Sequence, residues 1–239
     1  AAASVPFAHV EDWIFDLDNT LYPASCRLFD QVDRRIGSFI CDLLQLEPDE
    51  ARRIQKQYFR EHGTTLRGLM LKHDVDPHVF LDYVHAIDRS PVAPNPALAA
   101  AIDRLPGRKF IFTNGSVPPA EAVLDRLGIG GRFDDIFDIV AADFEPKPRI
   151  EPYRRLVARN RIAPPKAAMI DDLPVNLAPA AELGMTTVLV RTDSDWAQHE
   201  ADGDHVHHVI DDLADWLVGL TGELSADEGD RRADRRSGS

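Results

Sequence analysis

The sequence predicts an α/β fold: a doubly wound parallel sheet with a helical cap inserted after its first strand. Three observations carry that reading. From Ala97 to Val190, short apolar runs of strand character alternate with amphipathic helical segments, the pattern of a parallel sheet covered on both faces. The first run, Trp13-Ile14-Phe15, is instead followed by helical periodicity alone from Pro23 to Ser90. Finally, acidic or hydroxyl residues stand at the ends of several strands, where open parallel sheets bind their ligands. The resulting division is a Rossmann-like core (8–23 and 91–220), a cap (24–90) and a disordered tail (221–239).

Taken in order, Trp13-Ile14-Phe15 reads as a buried strand, and Pro23 closes the loop after it. Phe29, Val32, Ile36, Phe39, Ile40 and Leu43 recur at three- and four-residue steps and give the first cap helix one apolar face. Glu47-Pro48-Asp49-Glu50 starts a second helix, with proline in the first turn and acids where the dipole favours them, and Gly63 stops it. Thr64 opens a third helical piece and Asp76-Pro77 a fourth. Pro91, Pro94 and Pro96 mark the return to the core.

There the sequence predicts a helix over 97–105, a strand over 109–112, a helix over 118–127 and a short strand over 137–140. A helix over 153–157, a strand over 167–170, a helix over 177–183 and a strand over 186–190 follow. Val206, Val209 and Ile210 read as a short strand before a helix from Asp211 to Leu220. From Thr221 the chain is charged and almost without apolar residues, the composition of a tail that cannot bury enough surface to fold.

Composition narrows the function. With 239 residues and 44% hydrophobic content, the chain can bury a substantial core. A formal charge of −13 argues against nucleic acid as partner, since phosphate backbones need a basic face. Two cysteines, Cys26 and Cys41, do not make a disulfide framework, and no run is long enough to cross a bilayer or shaped like a signal peptide. The expectation is a cytoplasmic protein with reduced thiols, monomeric or homodimeric, acting on a small ligand.

The chemistry concentrates at strand ends. Asp16 and Asp18 lie two residues apart, so an extended path through Asp18 would crowd both carboxylates on one side. Two such charges about 4 Å apart repel by roughly 4 kcal/mol at an effective dielectric near 20, and a hard divalent cation such as magnesium would relieve them; an ordinary acidic turn is the plainer alternative. Thr113-Asn114-Gly115-Ser116 precedes a helix and offers either an anion-binding loop or a simple turn capped by Ser116. Lys147 sits between Pro146 and Pro148, held to aim inward or merely solvated. Asp171 and Asp172 could complete a magnesium site or cap the next helix, and Asn176 could orient them. His205, His207 and His208 lack the partners and spacing of a zinc site.

Asp16-x-Asp18-x-Thr20 behind an apolar strand resembles the first motif of the haloacid dehalogenase superfamily. The fuller Phe-Asp-Leu-Asp-Asn-Thr-Leu-Tyr is similar to its pyrimidine 5′-nucleotidase-like phosphatase branch. Thr113, Lys147 and Asp171-Asp172 follow in the order of that superfamily's remaining motifs, over roughly residues 10–217. The resemblance implies a magnesium-dependent phosphomonoesterase with Asp16 as nucleophile and Asp18 as general acid and base. It gives Thr113, Asn114 and Gly115 the phosphoryl oxygens, and Lys147 the neutralisation of Asp16 and phosphate. Asp172, helped by Asp171, would bind magnesium with Asp16 and the Asp18 carbonyl. Within the cap, His62–Gly68 is similar to a stretch of the nucleotidase-like branch, which points to Thr65 and Arg67 as substrate contacts, or to a helix cap with a surface arginine. Phosphatases of sugar phosphates or phosphoglycolate, a mutase, and a non-catalytic binding protein of the same fold remain alternatives.

Overall fold

The structure is a computed structural model that describes residues 6–192 and 203–237. Six strands form one parallel sheet in the order β3-β2-β1-β4-β5-β6. They are β1 (Asp12–Phe15), β2 (Arg108–Phe112), β3 (Asp135–Phe137), β4 (Ala167–Asp171), β5 (Thr186–Val190) and β6 (His208–Ile210). β1 pairs with β2 on one side and β4 on the other, with Phe15 opposite both Ile111 and Ile170. The winding direction therefore reverses at β1, which opens a crevice beyond the carboxyl ends of the central strands.

Alternation along β1 assigns its side chains to opposite faces. Trp13 and Phe15 pack with Ile111 and Ile170 against α5 (Pro96–Arg104), α6 (Val117–Leu127) and α9 (Leu213–Ser237). Ile14 turns the other way and joins Phe110, Phe112 and Met169 under α7 (Ile150–Asn160) and α8 (Pro174–Glu182). Both faces are covered, so the central strands read as continuous apolar runs.

Between β1 and α5 lie α1 (Leu28–Leu44), α2 (Pro48–His62), α3 (Thr65–His73) and α4 (Pro77–Val84). Their inner faces make an apolar cluster of their own around Ile40, Ala51, Leu69, Phe80 and Val84. α2 carries Pro48 in its first turn and ends at Gly63, which adopts φ +86°, the backbone that glycine tolerates best. Gly68 lets α3 come close to α2, since a Cβ there would stand 2.5 Å from the Cβ of Tyr58.

Two expectations change. β3 stops at Phe137 instead of running to Val140, because the buried Asp138 carboxylate accepts the backbone N–H groups of Val117 and Ala141 at 3.0 and 2.8 Å and turns the chain. The chain from Thr221 continues α9 through Ser237 rather than forming a disordered tail. Thr221 and Leu224 are buried on the stripe begun by Leu217 and Leu220, so the apolar face lasts one turn longer than composition suggested. No helix among the described residues is long and apolar enough to cross a membrane.

Candidate functional site

β1 ends at Phe15, so Asp16 and Asp18 lie in the loop beyond it and their side chains part company. The Asp16 N–H donates to the Ile170 carbonyl at 2.9 Å, which ties the loop to β4. The Asp16 carboxylate is gripped from two directions: Lys147 Nζ donates to Oδ1 at 2.7 Å, and the Thr20 hydroxyl donates to Oδ2 at 3.1 Å. Asp18 turns aside and accepts a hydrogen bond from the Tyr22 hydroxyl. The crowded acids are instead Asp16, Asp171 and Asp172, whose oxygens lie within 4.8 Å of one another.

Lys147 is the charge at the centre of this group, and only 3% of it is exposed. Its ammonium donates to Asp16, to Asp171 at 2.8 Å and to the Phe112 carbonyl at 2.9 Å. An ammonium has three N–H groups, so all are committed, and Lys147 acts as a fixed counter-charge to the carboxylates rather than as a hydrogen-bond donor to phosphate. Burial opposes its charge, but Asp16 and Asp171 outweigh that and hold its pKa above the ordinary lysine value. Asn114 fixes the lysine's backbone, accepting from the Lys147 N–H at 2.8 Å and donating to its carbonyl at 3.3 Å. What Asn114 offers a ligand is therefore its main chain.

Asp171 is equally occupied. Its oxygens accept from Lys147, from the Asn176 amide at 3.0 and 3.2 Å and from the Leu173 N–H at 2.9 Å. Asp171 thus holds Lys147 in place and is the poorer candidate metal ligand. Asp172 differs: it is 3% exposed, and its Oδ2 has no hydrogen-bond partner among the described residues. Burial, then the Asp171 and Asp16 charges, push its pKa up to about 9. Asp16 rises to about 7, chiefly through burial and against the pull of Lys147. A buried carboxylate oxygen without a donor, beside a second carboxylate, suits a divalent cation with oxygen ligands.

Thr113 follows β2. Its hydroxyl oxygen accepts the Gly115 N–H at 2.9 Å, which leaves its O–H to donate into the crevice. Ser116 makes no side-chain cap for α6; Asp138 caps that helix from the end of β3. A Cβ on Gly115 would stand 3.3 Å from the Thr113 hydroxyl and 3.6 Å from His85 Nε2, so this loop and α4 approach each other closely.

Of the two cap residues expected at the substrate, Thr65 lines the crevice, although its hydroxyl donates to the Gln55 carbonyl at 3.1 Å. Arg67 does not line it. Its guanidinium pairs with Glu145 at 2.8 Å and reaches the Phe144 carbonyl at 3.4 Å, which pins α3 to the loop that carries Lys147. Its sequence neighbours gave no sign of a partner 78 residues away. Sequence reasoning also passed over Tyr22 and His85. The Tyr22 hydroxyl, four residues past Asp18, lies within the quoted motif and was findable; His85 has no local signature.

The family model for haloacid dehalogenase-like hydrolases matches residues 14–184. The chain belongs to that family. Phosphate metabolism protein 8 of Saccharomyces cerevisiae is 27% identical over 195 residues; the match takes in 74% of this chain and 60% of the yeast protein's length. Among solved structures, CbbY from Rhodobacter sphaeroides in complex with phosphate has a TM-score of 0.58 at 19% identity, over 86% of this chain and 95% of that one. A HAD phosphatase from Thermococcus onnurineus gives 0.57 at 17% identity, over 87% and 96%. An L-2-haloacid dehalogenase from Xanthobacter autotrophicus gives 0.55 at 17% identity, over 87% and 97%. At such identities the shared property is the fold; the family to which the chain belongs is one of hydrolases, and phosphatases are among its structural neighbours.

Proposed function

We propose that this hydrolase is a magnesium-dependent phosphomonoesterase working through an aspartyl-phosphate, with pyrimidine nucleoside 5′-monophosphates as its leading substrate class. The observation that carries the reading is the buried, unpartnered Asp172 Oδ2 beside Asp16. Lys147 spends its three N–H groups on Asp16, Asp171 and the Phe112 carbonyl, which leaves none to donate to Asp172. When bound by Asp172, Asp16 and the Asp18 carbonyl, magnesium would supply positive charge to the phosphoryl oxygens.

Asp16 attacks phosphorus, forming a bond from its carboxylate oxygen as the bond to the alcohol oxygen breaks. Asp18 gives its proton to the departing alkoxide. It then takes a proton from the water that attacks the aspartyl-phosphate, which releases inorganic phosphate and regenerates Asp16. Thr113 O–H and the Asn114 main chain hold the phosphoryl oxygens, at the strand-to-helix turn where anions are favoured, while the Gly115 N–H is spent on the Thr113 hydroxyl oxygen. Asp18, two residues beyond the nucleophile, supports phosphoryl rather than carbon–halogen chemistry, because a leaving alkoxide needs a proton and a halide does not. The opening motif supports the nucleotide, the His62–Gly68 stretch no longer does because Arg67 is turned to Glu145, and sugar phosphates and phosphoglycolate are its nearest rivals.

The test is phosphate release from UMP, CMP, ribose 5-phosphate and phosphoglycolate, with and without magnesium. Turnover is expected only with magnesium, and Asp16→Asn is expected to lower it about a thousandfold or more. Near-normal turnover by Asp16→Asn would sink the mechanism.

A further inference from the structure

The crevice has two parts that share Asp18, Thr65 and Asn114 and the rings of Phe29 and Phe59. One, bearing Asp16, Lys147 and Asp172, is the phosphoryl side. The other is a chamber of about 180 Å³ between the helical block and the core, with Asp18, Thr113, Asn114 and Gly115 along one edge. Its remaining walls are mostly apolar: Phe29 of α1 and Phe59 of α2, which also border the phosphoryl side, Leu81 and Val84 of α4, and Val123 and Ile139 of the core. Phe29 and Phe59 are 42% and 51% exposed. Aromatic rings left half in water at the mouth of a crevice mark a surface that a ligand covers.

Two polar rings line this chamber, and since the Tyr22 hydroxyl is already donated to Asp18, His85 is the one left for a ligand. His85 donates Nδ1–H to the Leu81 carbonyl at 3.0 Å, and its own carbonyl is held by Arg89 at 2.7 Å and by the Ile87 N–H at 2.9 Å. That fixes the ring with Nε2 over Gly115, beside the phosphoryl-binding turn. With the proton on Nδ1, the neutral ring presents Nε2 as an acceptor. Arg89 also borders the chamber, but two of its nitrogens are spent on the His85 and Ile87 carbonyls.

In the mechanism above the proton of Asp18 goes to the leaving oxygen, so the alcohol must extend from phosphorus on Asp18's side. We propose that this chamber is the leaving-group pocket: it selects phosphomonoesters whose alcohol carries a flat ring system, with a hydrogen-bond donor on that ring as the preferred feature. In this assignment Phe29 and Phe59 cover the body, and His85 Nε2 accepts the donor as the specificity-determining contact. The inference rests on the phosphomonoesterase reading and adds to it the chemistry of the alcohol. A small, fully hydroxylated alcohol would leave these apolar walls wet.

The test uses the full chain with magnesium and three esters: UMP, 1-naphthyl phosphate and glycerol 1-phosphate. UMP and 1-naphthyl phosphate are expected to exceed glycerol 1-phosphate at least tenfold in kcat/KM. Phe59→Ser should raise the KM for 1-naphthyl phosphate about tenfold with kcat within threefold. His85→Leu should raise the KM for UMP about tenfold and that for 1-naphthyl phosphate much less, and His85→Gln, which restores an acceptor, should recover most of the loss. Preference for glycerol 1-phosphate, or a Phe59→Ser enzyme that treats all three esters like the parent, would overturn the pocket assignment and leave the phosphatase standing. Equal effects of His85→Leu on UMP and 1-naphthyl phosphate would overturn the role of His85. Absence of phosphate release from every ester would overturn the phosphatase reading and this proposal together.

Discussion

Lys147→Met removes a buried ammonium while keeping most of the side chain's volume. Three donor contacts disappear, at 2.7, 2.8 and 2.9 Å, two of them to carboxylates that are almost wholly buried. Losing one partner of a buried ion pair typically costs about 3–5 kcal/mol, because the other charge stays behind uncompensated. Here Asp16 and Asp171 both stay behind, so about 4 kcal/mol at pH 8 is expected, a large share of the roughly 5–15 kcal/mol that holds a domain together. The loss should shrink toward pH 5, because Asp16, already raised to about 7, takes up a proton on the way down and sheds its charge. Adding Asp171→Asn should recover part of the stability at pH 8, since it removes one of the stranded charges. Urea unfolding at both pH values measures the effect directly. A Lys147→Met protein within about 1 kcal/mol of the parent at pH 8 would refute the view that this lysine neutralises the carboxylate cluster.

Other consequences can be checked alongside it. In the metal-free protein, Asp16 and Asp172 have pKa values raised to about 7 and 9 by burial and neighbouring charge. The folded state then binds more protons than the unfolded one, so the contribution of these groups is full below their unfolded pKa and is lost as pH rises through 7 and 9. On the proposed reading magnesium binds the charged carboxylates, so its increment to Tm should grow from pH 6 to pH 9, and Asp172→Asn should abolish most of it; calorimetry with and without magnesium reads both. For Arg67 and Glu145, whose side chains are 22% and 21% exposed, a double-mutant cycle should give a coupling of about 1 kcal/mol in urea unfolding. Arg67→Ala should leave KM within twofold, because the side chain faces Glu145 and not the crevice. Gly107 has φ +87° and a Cβ there would meet the Glu11 carbonyl at 2.2 Å, so Gly107→Ala should cost about 3 kcal/mol or more, read as a lowered Tm.

The sheet was legible because its strands are apolar runs separated by helix-length segments, and periodicity survives without tertiary information. The order of strands was not: nothing in Trp13–Phe15 says that β2 and β4 both pair with it. At the site, residue types were readable and partnerships were not. Asp16 and Asp18 look like a pair because they are neighbours in sequence, yet the loop separates them and gives Asp16 to Lys147, 131 residues away. Ser116 looks like the cap of α6 because it is adjacent, while the cap comes from Asp138. Arg67 looks like a surface or substrate residue because its acidic partner lies on another element. The tail misled for a different reason: one buried leucine and one threonine, Leu224 and Thr221, are too few to register in composition, yet they keep α9 on the core for another turn.

The division of the crevice at Asp18 bears on inheritance. The acids, the lysine and the threonine stand at the ends of β1, β2 and β4 and in the segment before α7, whereas one side of the chamber's apolar lining comes from α1, α2 and α4, a continuous insert between β1 and α5. On the proposed reading, mutations that accumulate in that insert reshape the alcohol a descendant accepts while leaving the residues at the strand ends unchanged. Lineages sharing this sheet can therefore diverge in diet while keeping one reaction, and resemblance along the strand ends traces ancestry of the chemistry more faithfully than ancestry of the substrate.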